Sequence, residues 1–102
     1  MSRIVNSVTL VCYDIASDKL RRKIDKCLKD YGIRLQYSVF LCRIGHPGVE
    51  RLRLQLGQIR NQFPNESNPQ DSLIIVEHIP QQQIEFFFEQ RTKVSGHEYE
   101  II

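Results

Sequence analysis

The chain has 102 residues, a formal net charge of +2 and 41% hydrophobic residues. This length predicts a single domain with a thin core, and the aliphatic content is typical of a globular rather than a disordered protein. The three cysteines are widely separated and form no CxxC pair, so neither a zinc site nor a disulfide framework is indicated. Neither a signal sequence nor an apolar run of membrane-spanning length is found, so we expect a cytoplasmic protein with free thiols.

Positive charge is concentrated in the first part of the chain. Residues 1–60 contain twelve Lys and Arg against five Asp and Glu, whereas residues 61–102 contain two against seven. A basic segment of this kind is typical of a protein that binds an anionic partner such as nucleic acid. An ordinary solvated helix face explains the same charges, and charge alone slightly favours that alternative.

The first predicted elements are a strand and a helix. The apolar, β-branched run at residues 7–13 predicts a central strand that ends at Asp14. Ser17 and its neighbours offer N-caps for a helix, and Gly32 is expected to stop it. One helix face is basic. The other carries apolar side chains at helical spacing, namely Leu20, Ile24, Cys27, Leu28 and Tyr31.

The middle of the chain predicts extended structure and then a second helix. Residues 34–44 alternate between apolar and polar, and they fit either one bent strand or a tight hairpin around residues 37–38. Gly45 and Pro47 open the second helix. Its predicted buried stripe is Val49, Leu52, Leu56, Ile59 and Phe63.

The last third predicts a polar loop, a strand and a tail. The loop covers residues 64–70, the apolar strand core covers 73–76, and Pro80 with three glutamines ends the strand. Residues 84–88 fit a helical turn or a strand, with three phenylalanines that favour core or interface packing over base stacking. Residues 99–102 alternate as in a short last strand.

This order of elements predicts an α+β fold. A split βαβ pattern indicates a ferredoxin-like sandwich, in which two helices lie on one face of an antiparallel sheet. We divide the chain into a ferredoxin-like domain, residues 1–80, and a C-terminal tail, residues 81–102. The aromatic residues of the tail suggest that something covers the open face of the sheet.

Asp14 is the clearest candidate for a functional side chain. A carboxylate directly after a central strand is held by rigid backbone at the rim of the sheet. Local sequence alone favours a simpler role, in which Asp14 caps the following turn by accepting backbone N–H bonds. Mg²⁺ usually takes one or two carboxylates with waters and substrate phosphates. A two-fold axis near Asp14 would supply the second carboxylate.

Three motifs together resemble a known family. They are Tyr-Asp-Ile at residues 13–15, the basic helix that begins at 18–23, and Gln-Tyr-Ser-Val-Phe at 36–40. They resemble the small CRISPR-associated adaptation family ("Cas two"). The resemblance implies a ferredoxin-like homodimer whose C-terminal tail strand adds to the partner's sheet. It also implies a phosphodiesterase dependent on Mg²⁺ or another divalent cation in some members, and a DNA-binding adaptor for the integrase subunit ("Cas one") in spacer acquisition.

The resemblance also assigns expected roles to individual residues. Asp14 takes the position of the family's metal-ligand aspartate and is the catalytic candidate. Arg21 and Arg34 take the positions of basic residues near that site. Tyr13 and Phe40 are expected to have structural roles. The remaining candidates for nucleic-acid binding are Arg22, Lys23 and Ser38.

Three functions follow as hypotheses. The leading one is a dimeric adaptor of the integrase complex that holds duplex DNA by its phosphates. The second is a metal-dependent endonuclease acting on RNA or DNA, in which a pair of Asp14 carboxylates holds Mg²⁺. The third is a toxin-type ribonuclease of similar fold that acts independently of the integrase. No residue of the sequence separates the third from the others.

Overall fold

The computed structural model describes residues 7–88, and the fold is given for that part. Its strands and helices follow the predicted order. Two short 3₁₀ turns, Pro64–Glu66 and Gln81–Gln83, flank the last strand. The elements are β1 (Ser7–Asp14), α1 (Asp18–Lys29), β2 (Gly32–Gln36), β3 (Val39–Cys42), α2 (His46–Gln62) and β4 (Ser72–Pro80).

The four strands form one antiparallel sheet in the order β2–β3–β1–β4. β1 pairs with both β3 and β4, so the strand that ends at Asp14 is central, as predicted. α1 connects β1 to β2, and α2 connects β3 to β4. This is the predicted ferredoxin-like arrangement. Neither helix of the described residues combines the length and the apolar character that a bilayer crossing requires.

The hydrophobic core lies between the helices and one face of the sheet. β1 contributes Val11 and Tyr13, and β3 contributes Phe40 and Cys42, all of them buried. Burying a Val, Leu, Ile or Phe side chain contributes about 1.5–3 kcal/mol, so the predicted helix stripes hold the layers together. The buried stripe residues are Leu20, Ile24 and Leu28 on α1, and Val49 and Leu52 on α2.

The other face of the sheet presents apolar side chains to solvent. Cys12 pairs with Ile74 and Leu10 pairs with Val76, and residues opposite each other on neighbouring strands share a face. Ile74 is 57% exposed and Val76 is 41% exposed. Because β4 alternates, Leu73 and Ile75 point instead towards the core cluster. We call the face of Leu10, Cys12, Ile74 and Val76 the open sheet face.

Gly32 has a different role from the predicted helix stop. Asp30 caps α1, and its backbone N–H donates to the carbonyls of Cys27 and Leu28. Gly32 opens β2 without a left-handed φ. A Cβ at this position would lie 2.0 Å from the carbonyl oxygen of Leu41 on β3. The glycine therefore permits a close approach of two strands, which sequence spacing within α1 could not indicate.

The expectations for residues 34–44, for residues 84–88 and for the tail have different outcomes. Residues 34–44 form a hairpin, not one bent strand. Residues 84–88 form neither a helical turn nor a strand, and Phe87 and Phe88 are 80% and 82% exposed, so packing in the core of their own chain is wrong for them. Residues 99–102 and most of the predicted tail lie outside the described residues. The division at residue 80 stays a prediction.

β4 contains an irregularity that the sequence did not indicate. The register with β1 shifts between Val8 and Leu10, and His78 has a φ of 61°. A left-handed φ is uncommon for a residue with a side chain, and it is typical of a β-bulge that bends the strand. The bulge lies near the end of β4, at the opposite end of the strand from Ser72.

Candidate functional site

Asp14 lies at one end of the sheet, between two other segments. The backbone N–H of Tyr13 donates to the carbonyl of Ser38 over 3.1 Å, so the β2–β3 turn is beside the end of β1. On its other side Asp14 is paired with Ser72, the first residue of β4. Because β1 is central, these backbone partners hold Asp14 from both sides.

The Asp14 carboxylate is exposed and makes no hydrogen bond or ion pair within residues 7–88. The alternative in which it caps the following turn is wrong. Ser17 caps α1, its hydroxyl accepting from the N–H of Leu20 over 3.1 Å. Asp71 accepts from the N–H of Ala16 over 3.0 Å. Side chains other than Asp14 therefore form both of these capping hydrogen bonds. The Asp14 carboxylate is available to a ligand.

Asp71 ties the loop after β1 to the segment before β4. Its second carboxylate oxygen accepts from the N–H of Asn68 over 3.0 Å. These two hydrogen bonds from backbone N–H groups hold the pKa of the Asp71 carboxyl below its ordinary value, and the bond from Ala16 has the larger effect. Sequence reasoning missed this residue, although Asn68 and Pro69, three and two residues before it, are typical of a turn.

Arg21 lies at the Asp14 end of the domain. Its guanidinium donates to the carbonyl of Ile15 over 3.1 Å and pairs with Asp18. It also lies over the ring of Tyr37, 5.6 Å from the ring centroid. Tyr37 is 69% exposed, so Arg21 and Tyr37 together form a cationic, aromatic surface beside Asp14.

The half-buried Arg34 side chain is bound by several groups of its own chain. Its guanidinium is 3.0 Å from a carboxylate oxygen of Asp25, donates to the carbonyl of Tyr37, and lies 5.0 Å from the ring centroid of Phe40. The Tyr13 hydroxyl donates to the same Asp25 carboxylate. Burial of the Tyr13 side chain raises its pKa most, and the hydrogen bond to the negatively charged Asp25 raises it further. Arg34 therefore supports the β2–β3 turn.

Tyr13 and Phe40 lie side by side in the core. Both are buried, and their rings stack with centroids 6.4 Å apart at 24°. They lie on neighbouring strands on the core face. Through Asp25 and Arg34 this pair connects the core to the end of the sheet where Asp14 lies.

The three remaining residues predicted to bind nucleic acid lie in three different places. Ser38 is in the turn beside Tyr13, and Arg22 is exposed on α1. Lys23 lies towards α2, with its ammonium 6.0 Å from the centroid of the Phe63 ring. The structure thus brings Asp14, Arg21, Arg34 and Ser38 to one end of the sheet. Arg22 is exposed on α1, and Lys23 lies near the Phe63 ring that follows α2.

The exposed Asp14 carboxylate is the candidate ligand for a divalent cation. Across residues 7–88 no group of three or more His, Cys, Asp or Glu side chains is placed to bind one metal ion. Mg²⁺ accepts one or two carboxylates when water and phosphate oxygens complete its shell. The donor set around Asp14 therefore fits Mg²⁺ only if substrate phosphate or a second copy supplies further oxygen atoms.

Comparisons with known proteins identify the family. Residues 7–85 match the family model described as CRISPR associated protein Cas2. The chain is 44% identical over 52 residues to the CRISPR-associated endoribonuclease Cas2 4 of Rhodospirillum rubrum, a match that covers 51% of this chain and 42% of that protein. The chain spans about half the length of the first such curated relatives it matches.

Solved structures give the same answer for the fold. A hypothetical protein of Thermus thermophilus matches with a TM-score of 0.68 and 30% identity, over 84% of this chain and 95% of that chain. A chain of a partial Cas6-RT-Cas1–Cas2 complex matches with a TM-score of 0.59 and 32% identity, over 70% and 77%. Because the family model matches most of its residues, this chain belongs to the CRISPR-associated Cas2 family.

Proposed function

We propose that this protein is a dimeric adaptor in CRISPR spacer acquisition, which binds the integrase subunit and holds DNA by its phosphates near Asp14. The observation that carries the proposal is the exposed cationic surface beside Asp14, where the Arg21 guanidinium lies over the exposed Tyr37 ring and Arg22 is exposed on α1. Similarity to a chain of a Cas6-RT-Cas1–Cas2 complex supports the integrase as the partner.

The open sheet face supports the dimer. Exposed apolar side chains on a sheet face gain free energy when a second surface covers them, at about 25 cal/mol per Å² of apolar area buried. Ile74 and Val76 both lie on this face, beside the strand that ends at Asp14. A two-fold axis that passes through this face close to its Asp14 end would bring the two Asp14 residues near each other.

Phosphate contacts are the proposed mode of DNA binding. Arg21 has part of its guanidinium committed to Ile15 and Asp18, while Arg22 is exposed beside it. Contacts of this type position the duplex without reading its sequence, and their strength falls as salt rises. Arg34 contributes by holding the Tyr37 carbonyl and so the shape of the turn.

A second candidate function is metal-dependent cleavage of a phosphodiester. The exposed Asp14 carboxylate favours it, as does the name endoribonuclease given to the Rhodospirillum rubrum relative. A divalent cation, when bound, supplies Lewis-acid activation of water and stabilises charge on the phosphate. The chain's own part is to hold that cation with Asp14 and to orient the scissile strand with Arg21.

The adaptor is tested by assembly. We expect the chain, the integrase subunit of the same CRISPR system and duplex DNA to elute as one complex at low salt. Arg22→Gln should weaken DNA binding several-fold and lower the salt slope by about one, as for the loss of one phosphate contact. Lys29→Gln, an exposed position two turns along α1, is the matched control. Absence of a ternary complex at low salt would refute the adaptor.

Cleavage is tested with the same protein and a labelled RNA or DNA. We expect activity to require a divalent cation and to be lost on addition of EDTA and in Asp14→Asn. Asp30→Asn, an exposed carboxylate at the other end of α1, should retain it. Activity that survives both EDTA and Asp14→Asn would show that Asp14 is not the catalytic group.

A further inference from the structure

Tyr37 presents an aromatic ring to solvent from a backbone that is firmly held. It lies in the turn between β2 and β3, directly after Gln36. The Tyr37 carbonyl accepts from the Arg34 guanidinium, and the carbonyl of Ser38 accepts from the backbone N–H of Tyr13 over 3.1 Å. The ring itself is 69% exposed, so burial does not account for its place. A fixed backbone with an exposed ring is a precise platform for a ligand.

The Arg21 guanidinium covers one face of this ring. It lies 5.6 Å from the ring centroid, within the range of a cation–aromatic contact. Arg21 is itself fixed, because it donates to the carbonyl of Ile15 over 3.1 Å and pairs with Asp18, and its side chain is only 18% exposed. Since Tyr37 stays largely exposed with Arg21 on one face, the opposite face is uncovered within residues 7–88. We call it the uncovered ring face.

The uncovered ring face lies at the same end of the sheet as Asp14. Arg21 bonds the carbonyl of Ile15, which directly follows Asp14 in the chain. On the other side, Tyr13 bonds the turn that carries Tyr37. The ring and the Asp14 carboxylate are therefore attached to backbone segments that contact each other. A nucleotide that stacks on Tyr37 binds at the Asp14 end of the sheet.

The charges around the ring favour an uncharged group on it. Among the described residues, the two guanidiniums that contact Tyr37 each have a carboxylate partner, Asp18 for Arg21 and Asp25 for Arg34. Those carboxylates offset the positive charge that would attract a phosphate to the ring. A nucleobase is flat and uncharged, and bases of any kind stack on aromatic side chains.

We propose that the uncovered face of the Tyr37 ring binds an unpaired nucleobase of a nucleic acid held beside Asp14. Inside a duplex the faces of the bases are stacked on one another, so Tyr37 requires a nucleotide that is single-stranded or splayed out. The inference rests on the proposed function to the extent that the protein binds nucleic acid at this end. It adds a preference for an unpaired nucleotide there, which phosphate contacts alone do not provide.

Fluorescence anisotropy of the full chain with a labelled single-stranded DNA tests the proposal. Tyr37→Leu, which replaces the ring by an aliphatic side chain, should raise the dissociation constant for the single strand about tenfold, the effect of one lost base stack. Its affinity for a blunt duplex of the same sequence should change less than about twofold, since phosphate contacts hold a duplex. Tyr37→Phe is the matched control. It should bind the single strand as the wild type does, because stacking requires the ring and not the hydroxyl.

A strand of abasic nucleotides makes the same test on the wild-type protein. It keeps the phosphates of the base-containing strand and removes every base that could stack. Wild type should bind it about tenfold more weakly than the base-containing strand, whereas Tyr37→Leu should bind the two strands with nearly equal affinity. Fluorescence of a single 2-aminopurine in the strand should be quenched by wild type and Tyr37→Phe and not by Tyr37→Leu.

The results separate this inference from the proposed function. Equal losses of single-strand and duplex binding in Tyr37→Leu would overturn the stacking and leave DNA binding intact. A wild-type chain that binds neither would overturn both. A weaker dimer of Tyr37→Leu in sedimentation equilibrium, with full single-strand affinity once it is dimeric, would assign the ring to the dimer and overturn the inference. Thermal unfolding shows whether Tyr37→Leu is folded. If it is not, equal binding of the abasic and base-containing strands by wild type would still overturn the stacking.

Discussion

Arg34 on β2 and Asp25 on α1 form an ion pair in which the closest nitrogen and oxygen atoms are 3.0 Å apart. The pair joins an edge strand to the helix that covers it. Tyr13 donates to the same carboxylate from the central strand, so three elements meet at Asp25. An arginine that resemblance assigned to nucleic-acid binding therefore also stabilises the end of the domain where Asp14 lies.

We predict that Arg34→Gln lowers the free energy of unfolding by about 1–2 kcal/mol. The substitution removes a half-buried ion pair, a hydrogen bond to the Tyr37 carbonyl and the contact with the Phe40 ring. Urea denaturation at fixed protein concentration measures the change. Arg22→Gln, which removes an exposed arginine from α1, should stay within about 0.5 kcal/mol of wild type.

A double-mutant cycle assigns the loss to the pair. Asp25→Asn in the Arg34→Gln background should cost less than in the wild type, with a coupling of roughly 0.5–1 kcal/mol. Fully additive effects would contradict the pairing. Weaker DNA binding by Arg34→Gln without any loss of stability would instead indicate that this arginine acts on nucleic acid alone.

The hydrogen bonds of the Asp71 carboxylate predict that the free energy of unfolding depends on pH. Its two backbone hydrogen bonds hold the folded-state pKa below the unfolded value near 4, so the ionised carboxylate favours the folded state above that pH. The contribution is lost as pH falls through the folded pKa. The melting temperature of wild type should therefore exceed that of Asp71→Asn at pH 7 and at pH 5, and the difference should shrink below about pH 4. A difference that persists unchanged to pH 2 would rule out this origin.

The elements of this fold follow from local patterns, whereas much of the site depends on contacts between elements. The apolar run before Asp14, the cap at Ser17 and the helical spacing on α1 are properties of neighbouring residues, and they predict β1 and α1 correctly. The Asp71 carboxylate accepts a hydrogen bond from the backbone N–H of Ala16, which is fifty-five residues away, and no local pattern predicts such a bond. Asp25 looks like one more charge on a helix face until the sheet brings Tyr13 and Arg34 to it.

Two glycines predict opposite effects of the same substitution. Gly32→Ala should lower the free energy of unfolding by about 3 kcal/mol or more, because its Cβ would lie 2.0 Å from a backbone carbonyl oxygen that cannot move aside. Gly57→Ala should raise it by roughly 0.5–1 kcal/mol, since its Cβ meets no atom within 4 Å and alanine favours the helix. Thermal and urea denaturation of the two variants side by side measure both. A stable Gly32→Ala would mean that β2 and β3 do not pair in the register described.

The reactivity of the cysteine thiols tests whether a second copy covers the open sheet face. Cys42 is buried, and burial raises the pKa of its thiol to about 12, so it should react with a thiol reagent only after unfolding. Cys12 lies on the open sheet face opposite Ile74 and is half-buried in one chain. In a Cys27→Ser background, labelling of Cys12 should slow as protein concentration rises, because a second copy covers that face. Labelling that keeps the same rate while sedimentation shows dimers would place the dimer interface elsewhere.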